Sequence, residues 1–275
     1  MDQSMKPLLP PTQQPRRHLT ASTVSFVLPN QFSLSTLLCI GSFMQIILCA
    51  ILPLRYAVIP CTTVLLVSIF TTIQNCFQPK TNPFMTDVVP GRTTAQIPGK
   101  DGKYGPEPGK GSVVVFHLGI QYNHPLGIFA PHMLEISNKF LAMQQDILRR
   151  KDELGLLAVQ SWRGNERSSN NTTLVKYFFK DVESIHKFAH EPLHKEIWAY
   201  YNQYQPGHVG IFHETFITTD GGYESMYVNC HPILLGRGEV KANSRKDGTE
   251  EWMGTLVSAD TPDLKSFKAR LGKDN

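Results

Sequence analysis

The sequence predicts an α+β protein, in which a two-helix transmembrane hairpin precedes a ferredoxin-like domain of element order β-α-β-β-α-β. No Asp, Glu, Lys or Arg occurs between Arg17 and Arg55, or between Arg55 and Lys80. Beyond residue 112 the apolar residues recur with the periods of strands and helices. The predicted segments are a polar N-terminal tail, the hairpin, a Pro/Gly-rich linker, the ferredoxin-like domain and a polar C-terminal tail, at residues 1–31, 32–77, 78–111, 112–235 and 236–275.

Composition narrows the class of protein. The 275 residues are 41% hydrophobic and 18% charged, with a formal net charge of +4, which excludes a disordered chain. Only Cys230 lies outside the apolar part, so neither a disulfide scaffold nor a zinc knuckle is expected. The basic residues of the C-terminal tail lack interleaved aromatic residues, and we therefore expect no nucleic-acid partner.

Residues 32–54 and 56–77 are each about as long as a helix that crosses a bilayer. Arg55 alone carries charge in the turn between them, so it is expected on the lumenal side. Cations dominate both flanks, which places the two flanks, and the domain, on the cytosolic side of a membrane such as the endoplasmic reticulum. Two alternatives stay open, a cleaved signal peptide and a single anchor beside a buried helix, although the first apolar run is long for a signal peptide. A cytosolic domain would leave the sequons at Asn170 and Asn171 unused.

The ferredoxin-like domain is predicted from four segments in which apolar and polar residues alternate, as in strands, and from two segments with apolar residues at helical spacing. Pro131 and Gly155 delimit the first helix, and Asp181 caps the second, which Pro192 should interrupt near Glu191. This order leaves one apolar sheet face bare, so a second subunit is expected to cover it. The strands are predicted at 113–122, 156–162, 173–179 and 208–218, the helices at 131–153 and from 182 onward, and a further strand at 223–228.

Histidine is the residue type that stands out, with ten in the chain and nine after residue 116. His190 and His194 are four residues apart, so they share one flank of the second helix with Trp198 and Tyr201. Residues 190–194 spell His-Glu-x-x-His, but Pro192 lies inside the motif and no third ligand is evident. We therefore expect no metal. Solvated or helix-capping histidines are the plain alternative.

Further candidate site residues lie on the strands. Glu214 has apolar neighbours on either side of its strand, and a carboxylate between aromatic residues is a candidate acid or base. The alternative is an edge-strand carboxylate that reaches solvent. Trp162 and Tyr177 could line the same cleft, with core packing as the alternative for both.

Several segments together resemble a fungal family of monooxygenase-like, membrane-anchored proteins of secondary-metabolite clusters, of the fumagillin-pathway polyketide monooxygenase type. The resemblance implies a dimeric α/β barrel that oxidises conjugated or phenolic substrates with O2 and without flavin, haem or metal. The residues that match are His194, Trp198, His213, Glu214, Glu224 and Tyr227. The segments that carry it are residues 116–120, 177–180, 188–198, 208–215 and 222–227.

These residues lead to one functional hypothesis and its rivals. The chain is expected to be a membrane-anchored, homodimeric monooxygenase that acts on a lipophilic polyketide or terpenoid, with O2 as co-substrate and no cofactor. His194, Glu214 and His213 are the predicted catalytic residues, and Trp162, Tyr177, Trp198, Glu224 and Tyr227 the predicted substrate-binding residues. The alternatives are an acid–base cyclase, isomerase or dehydratase on the same fold, a haem protein with a histidine ligand, and a non-catalytic membrane-bound pathway partner.

Overall fold

A computed structural model of the chain describes residues 5–16, 32–78, 82–166, 171–243 and 249–273. It contains two compact units. One is Leu19–Val88, and the other joins Met1–His18 to Val89–Asn275.

The described residues of the smaller unit include the helices α1 (Leu34–Ile51), α2 (Leu54–Ala57) and α3 (Ile59–Phe77). Windows in Leu34–Ile51 and Leu54–Phe77 have mean hydropathies of 2.1 and 1.9, so both segments are long and apolar enough to cross a membrane. The Gln45 amide links the first helix to the second and third: it donates to the Ala57 carbonyl at 3.0 Å and accepts from the Cys61 thiol at 3.0 Å. The predicted pair of apolar helices is therefore present.

The larger unit has a central antiparallel sheet with helices on one face. Its described elements, in chain order, are β1 (Val89–Ala95), β2 (Val113–Tyr122), α4 (Met133–Arg149), β3 (Leu156–Arg163), β4 (Thr172–Phe179), α5 (Val182–His190), α6 (Pro192–Tyr204), β5 (Val209–Thr218), β6 (Tyr227–Cys230), β7 (Glu239–Asn243), β8 (Glu250–Gly254), β9 (Leu256–Ser258) and α7 (Phe267–Arg270).

The central sheet has the strand order β3-β4-β2-β5. Together with α4 to α6 it gives the predicted α+β, ferredoxin-like arrangement. The helices break at Glu191, as expected, because Pro192 lacks the N–H that a continuous helix would use. Between sheet and helices lies the inner core, whose buried residues are Val114, Phe116, Met143, Ile147, Leu154, Leu156, Val175, Tyr177, Phe179 and Phe188.

The outer face of this sheet differs from the expectation of a bare surface. Strands β6, β1 and β9 form a three-stranded sheet, and β7 pairs with β8. A second core joins this region to the outer side of the central sheet, through Ala95, Val113, Leu157, Ala158, Phe178, Tyr223 and Leu235. The segments expected to be a linker and an irregular tail thus contribute strands. These strands are only three to seven residues long, so they give no long periodic signal.

The first residues also belong to the larger unit. Pro7 and Thr12 form isolated antiparallel bridges with Val257 and Trp252. Arg16 then places its guanidinium 2.8 Å from the Glu239 carboxylate, which is almost fully buried. The Glu239 carboxylate also lies 3.3 Å from the Lys151 ammonium group. A paired, buried charge of this kind fixes the N-terminal segment to the domain that follows the apolar helices.

Of the two sequons, Asn170 lies outside the described residues. Asn171 uses its amide nitrogen to donate to the Tyr122 carbonyl at 3.1 Å and to the Asn123 side chain at 3.0 Å.

Candidate active site

On the inner face of the sheet, the edge strand β5 exposes His213, Thr215 and Ile217 close to His194 of helix α6. We call the surface between these two elements the groove. On the strand side, the His213 ring lies 5.7 Å from the Phe116 ring. On the helix side, the His194 ring lies 5.4 Å from the Phe188 ring. Phe116 and Phe188 are themselves 6.4 Å apart, edge to face. The two imidazoles therefore flank an aromatic floor.

The helix break at Glu191 and Pro192 determines where His194 lies. Glu191 has extended backbone geometry and is the N-cap of α6, and Pro192 occupies a first-turn position where no intrahelical N–H is needed. The break redirects the chain, so that His194 faces Phe188 while His186 and His190 stay exposed on α5. The His190 ring instead contacts the His186 carbonyl, 2.8 Å from its Nδ1.

Burial sets the charge state of His194. Its partial burial lowers its pKa, because a protonated imidazole loses hydration there, and the nearby His190 and His213 rings lower it further. A hydrogen bond to the Ala189 backbone opposes these effects. His194 is therefore neutral near pH 7 and able to accept a proton.

Trp198 lies one turn beyond His194 on α6, with 37% of its surface exposed. Its ring packs edge-on against Tyr201 at 5.8 Å. The Tyr201 hydroxyl donates to the Val209 carbonyl at 3.0 Å, which ties helix α6 to the start of β5.

Tyr177 lies beneath the floor and not on the surface of the groove. Its ring is fully buried, 5.9 Å from Phe116 and 5.8 Å from Phe188. Among the described residues, none makes a hydrogen bond of normal geometry with the buried Tyr177 hydroxyl. Burial raises the pKa of this hydroxyl, and the neighbouring Gln144 side chain opposes the shift. Tyr177 therefore stays protonated.

Glu214 follows His213 in sequence but lies on the opposite face of the sheet, because side chains alternate along a strand. Its carboxylate is 3.6 Å from Nδ1 of His117, the residue opposite it on β2. Phe216 packs edge-on against His117 at 5.4 Å. The structure thus separates the predicted catalytic residues, with His194 and His213 in the groove and Glu214 on the outer face.

The other predicted substrate-binding residues are also outside the groove. Trp162 lies on β3, at the opposite edge of the sheet from β5. Glu224 forms an ion pair with Arg270, and both side chains are largely buried. The Tyr227 hydroxyl accepts a hydrogen bond from the Gly236 N–H at 3.0 Å in the second core. Glu224 and Tyr227 therefore have structural partners that their sequence neighbours do not reveal, whereas Trp162 is 39% exposed.

In the His-Glu-x-x-His sequence of residues 190–194, the glutamate has a structural role. Glu191 receives two bonds from the Arg150 guanidinium, which holds the start of α6 against the end of α4. Within the described part of the chain, no three His, Cys, Asp or Glu side chains converge as metal ligands.

Two residues of the groove floor are missing from the site residues predicted by sequence. Phe116 shares a strand face with Val114 and Leu118, and Phe188 lies on the buried side of α5, so both look like ordinary core residues. Only the break at Pro192, which turns His194 toward Phe188, distinguishes the second of them.

Known proteins resemble this chain in sequence and in structure. Residues 113–235 match the family described as Monooxygenase af470-like. Monooxygenase af470 of Aspergillus fumigatus is 83% identical over 275 residues and covers 100% of both chains. Among solved structures, an aldoxime dehydratase in complex with butyraldoxime aligns at 14% identity with a TM-score of 0.40, over 53% of this chain and 39% of its own. SnoaB of Streptomyces nogalater, a cofactor-independent oxygenase, aligns at 15% identity with a TM-score of 0.28, over 38% and 90%.

The sequence matches show that the chain is a monooxygenase-like oxidoreductase. The chain belongs to the monooxygenase af470-like family, which confirms the fungal monooxygenase-like family predicted from the sequence.

Proposed function

We propose that this chain is a membrane-anchored monooxygenase that oxidises a lipophilic polyketide or terpenoid intermediate of secondary metabolism in the groove between β5 and α6. O2 is the co-substrate, and neither flavin, haem nor metal takes part. The observation that carries the proposal is a neutral, partly buried His194 beside an aromatic floor. A base with lowered pKa next to apolar walls suits proton removal from an apolar, acidic substrate.

The reaction needs no protein-bound redox group if the substrate itself supplies the electrons. His194 takes a proton from an activated methylene group, and the resulting carbanion reduces O2, forming a C–O bond and a peroxide anion. This anion takes the proton back from His194 to give a substrate hydroperoxide. Loss of the second C–H proton breaks the O–O bond and expels hydroxide, which leaves as water. In balance, one methylene group and one molecule of O2 give one ketone carbonyl and one molecule of water. His213, on the far side of the floor, is placed to return a proton to the leaving oxygen.

Substrate chemistry follows from the groove walls. Trp198, with 37% of its surface exposed, offers an aromatic face on which a flat, conjugated molecule can stack above the buried Phe116 and Phe188 rings. An apolar substrate of this kind partitions into lipid, so a membrane anchor brings the enzyme close to its substrate.

Two observations support anchoring by a hairpin. Helices α1 and α3 have almost no buried surface, unlike the core helix of a soluble protein. The segments on either side of the helical unit, Met1–His18 and Val89–Asn275, also belong to one compact unit, joined through the Arg16–Glu239 ion pair. A bilayer cannot divide a compact unit, so the chain between these residues must cross it an even number of times. The cations of both flanks favour the cytosolic side.

The test uses the full chain purified in detergent and anthrone, an enolisable aromatic ketone, as the probe. Oxygen uptake equal to the carbonyl product formed is expected, with a near-absent rate under argon. His194→Ala should lose turnover, whereas the matched control His186→Gln, an exposed histidine of α5, should keep it.

Other outcomes contradict the proposal. Turnover that persists without O2 would favour the acid–base cyclase, isomerase or dehydratase. A haem band, a flavin spectrum or stoichiometric metal in the active protein would overturn the cofactor-free reaction. Full turnover by folded His194→Ala would remove His194 as the base.

We propose in addition that the protein works as a homodimer. The chain's own strands cover part of the outer sheet face, which leaves less of that face for a second subunit.

A further inference from the structure

Helix α4 has a second apolar stripe, on the side away from the sheet. Its inner side is buried through Met133, Ile136, Met143 and Ile147. The outer stripe consists of leucines spaced by seven residues and exposed by 65%, 55% and 47%, namely Leu134, Leu141 and Leu148. A repeat of seven keeps side chains on one line along a helix.

The surface around these leucines is uncharged over most of the helix length. Within Met133–Arg149, which the structure describes throughout, the positions beside the leucines are Ser137, Asn138, Ala142 and Gln145. The outer face of a solvated helix normally carries Lys, Glu or Arg. An exposed leucine stripe without such charges is typical of a helix that packs against a further surface.

Two charges border this stripe near its two ends, equidistant from Ala142, the residue after the middle leucine, Leu141. Glu135 and Arg149 lie on the same flank, each seven residues from Ala142. Within the chain, Glu135 pairs with Lys139 at 3.4 Å, and Arg149 pairs with Asp146. Both side chains are exposed, 49% for Glu135 and 78% for Arg149, and exposed pairs of this kind contribute little and exchange partners readily.

We propose that a second copy of this chain docks on this face, with the two α4 helices antiparallel about a two-fold axis beside Leu141. Leu134 then packs near the partner's Leu148. The same axis brings Glu135 opposite the partner's Arg149, and the contact occurs twice. An isologous interface needs such self-complementary charge.

The charge pattern favours a second copy over a lipid surface. A helix that lies in the membrane interface usually has several Lys and Arg residues along its polar face. Here Arg149 is the single cation on the stripe's flank, and Glu135 balances it. The interface is independent of the reaction proposed above, because no residue of the groove lies on this stripe.

Cysteine cross-linking in native membranes tests the geometry, in a full chain whose five cysteines are replaced by serine. Leu141→Cys should form a disulfide-linked dimer, because each copy meets itself near the axis. Leu134→Cys alone should not, because the two copies would stand about 21 Å apart at a rise of about 1.5 Å per residue. Co-expressed Leu134→Cys and Leu148→Cys chains should cross-link with each other.

Charge reversal tests the register. In the Leu141→Cys background, Glu135→Arg should reduce the cross-linked fraction at least about fivefold by placing like charges together, and so should Arg149→Glu. The double reversal should restore it.

Three outcomes would overturn the proposal. The first is a double reversal that stays as weakly cross-linked as the single changes. The second is a Leu141→Cys chain that forms no dimer and reacts freely with a water-soluble maleimide, which would mean a bare face. The third is a Leu141→Cys chain that neither dimerises nor reacts, which would mean that lipid or another protein covers the stripe. Anthrone oxidation, measured on the same samples, should persist in every variant, so failure of the interface and failure of the reaction remain distinguishable.

Discussion

Both faces of the central sheet carry polar residues of β5 beside aromatic or imidazole rings, but the surroundings of these residues differ. On the inner face, the His213 ring packs against Phe116, and His194 of α6 lies on the other side of the groove. On the outer face, Glu214 lies beside His117 and is 64% exposed. His213 and Glu214 are neighbours in sequence, yet they face different surroundings. Adjacent residues of a strand should therefore not be assigned to one active site without the position of the helices.

The largest expected difference between the faces is catalytic. His194→Gln should lower kcat/KM for anthrone by about 100-fold to 10,000-fold, the range for loss of a general base. Glu214→Gln, on the outer face, should change it less than about threefold, since substitutions away from the reacting groups have small effects. Steady-state oxygen uptake measures both. Equal losses in the two variants would mean that the faces are not separate in function.

The second difference concerns stability. Phe188→Ala should destabilise the larger unit by about 3–5 kcal/mol, because it empties a fully packed site in the inner core. Trp162→Ala, at a position 39% exposed, should cost about 1 kcal/mol or less. Thermal unfolding in detergent distinguishes them. If Trp162→Ala proved the more destabilising, a further surface would have to cover the outer face at that edge.

Much of this contrast is predictable from sequence. The apolar periods predict β2 to β5, and Pro192 predicts the break that positions His194. The cover on the outer face is not predictable, because β1 and β7 to β9 are three to seven residues long and are stabilised by packing, not by local pattern. For the same reason, Glu224 and Tyr227 resemble site residues until their partners Arg270 and Gly236 are known.

A smaller effect is expected from the Tyr177 hydroxyl. A buried hydroxyl without a partner costs about 1–3 kcal/mol, so Tyr177→Phe should raise stability, by about 1 kcal/mol, while leaving anthrone oxidation intact. A rise in melting temperature would show it. Loss of activity with a folded protein would mean instead that the hydroxyl bonds to the substrate.

The smallest expected effect is on pH dependence. Because burial lowers the pKa of His194 below its usual 6.5, kcat/KM should rise with pH through a midpoint below 6.5 and then reach a plateau. The same shift affects stability. As the pH falls below 6.5, the unfolded chain binds a proton at His194 that the folded chain resists, so the folded state loses stability. A midpoint above 7 would mean that another group is the base.

The most direct test of the inner-face site is to map where an aromatic ligand binds. The full chain is irradiated with 4-hydroxybenzophenone, a flat photoreactive phenol, and the adducts are located by mass spectrometry. We expect adducts at the groove, on peptides that carry Phe116, Trp198 and His213, with competition by anthrone. Adducts confined to Trp162, Phe212 and Phe216 would place the ligand on the outer face and contradict the assignment of the active site to the groove.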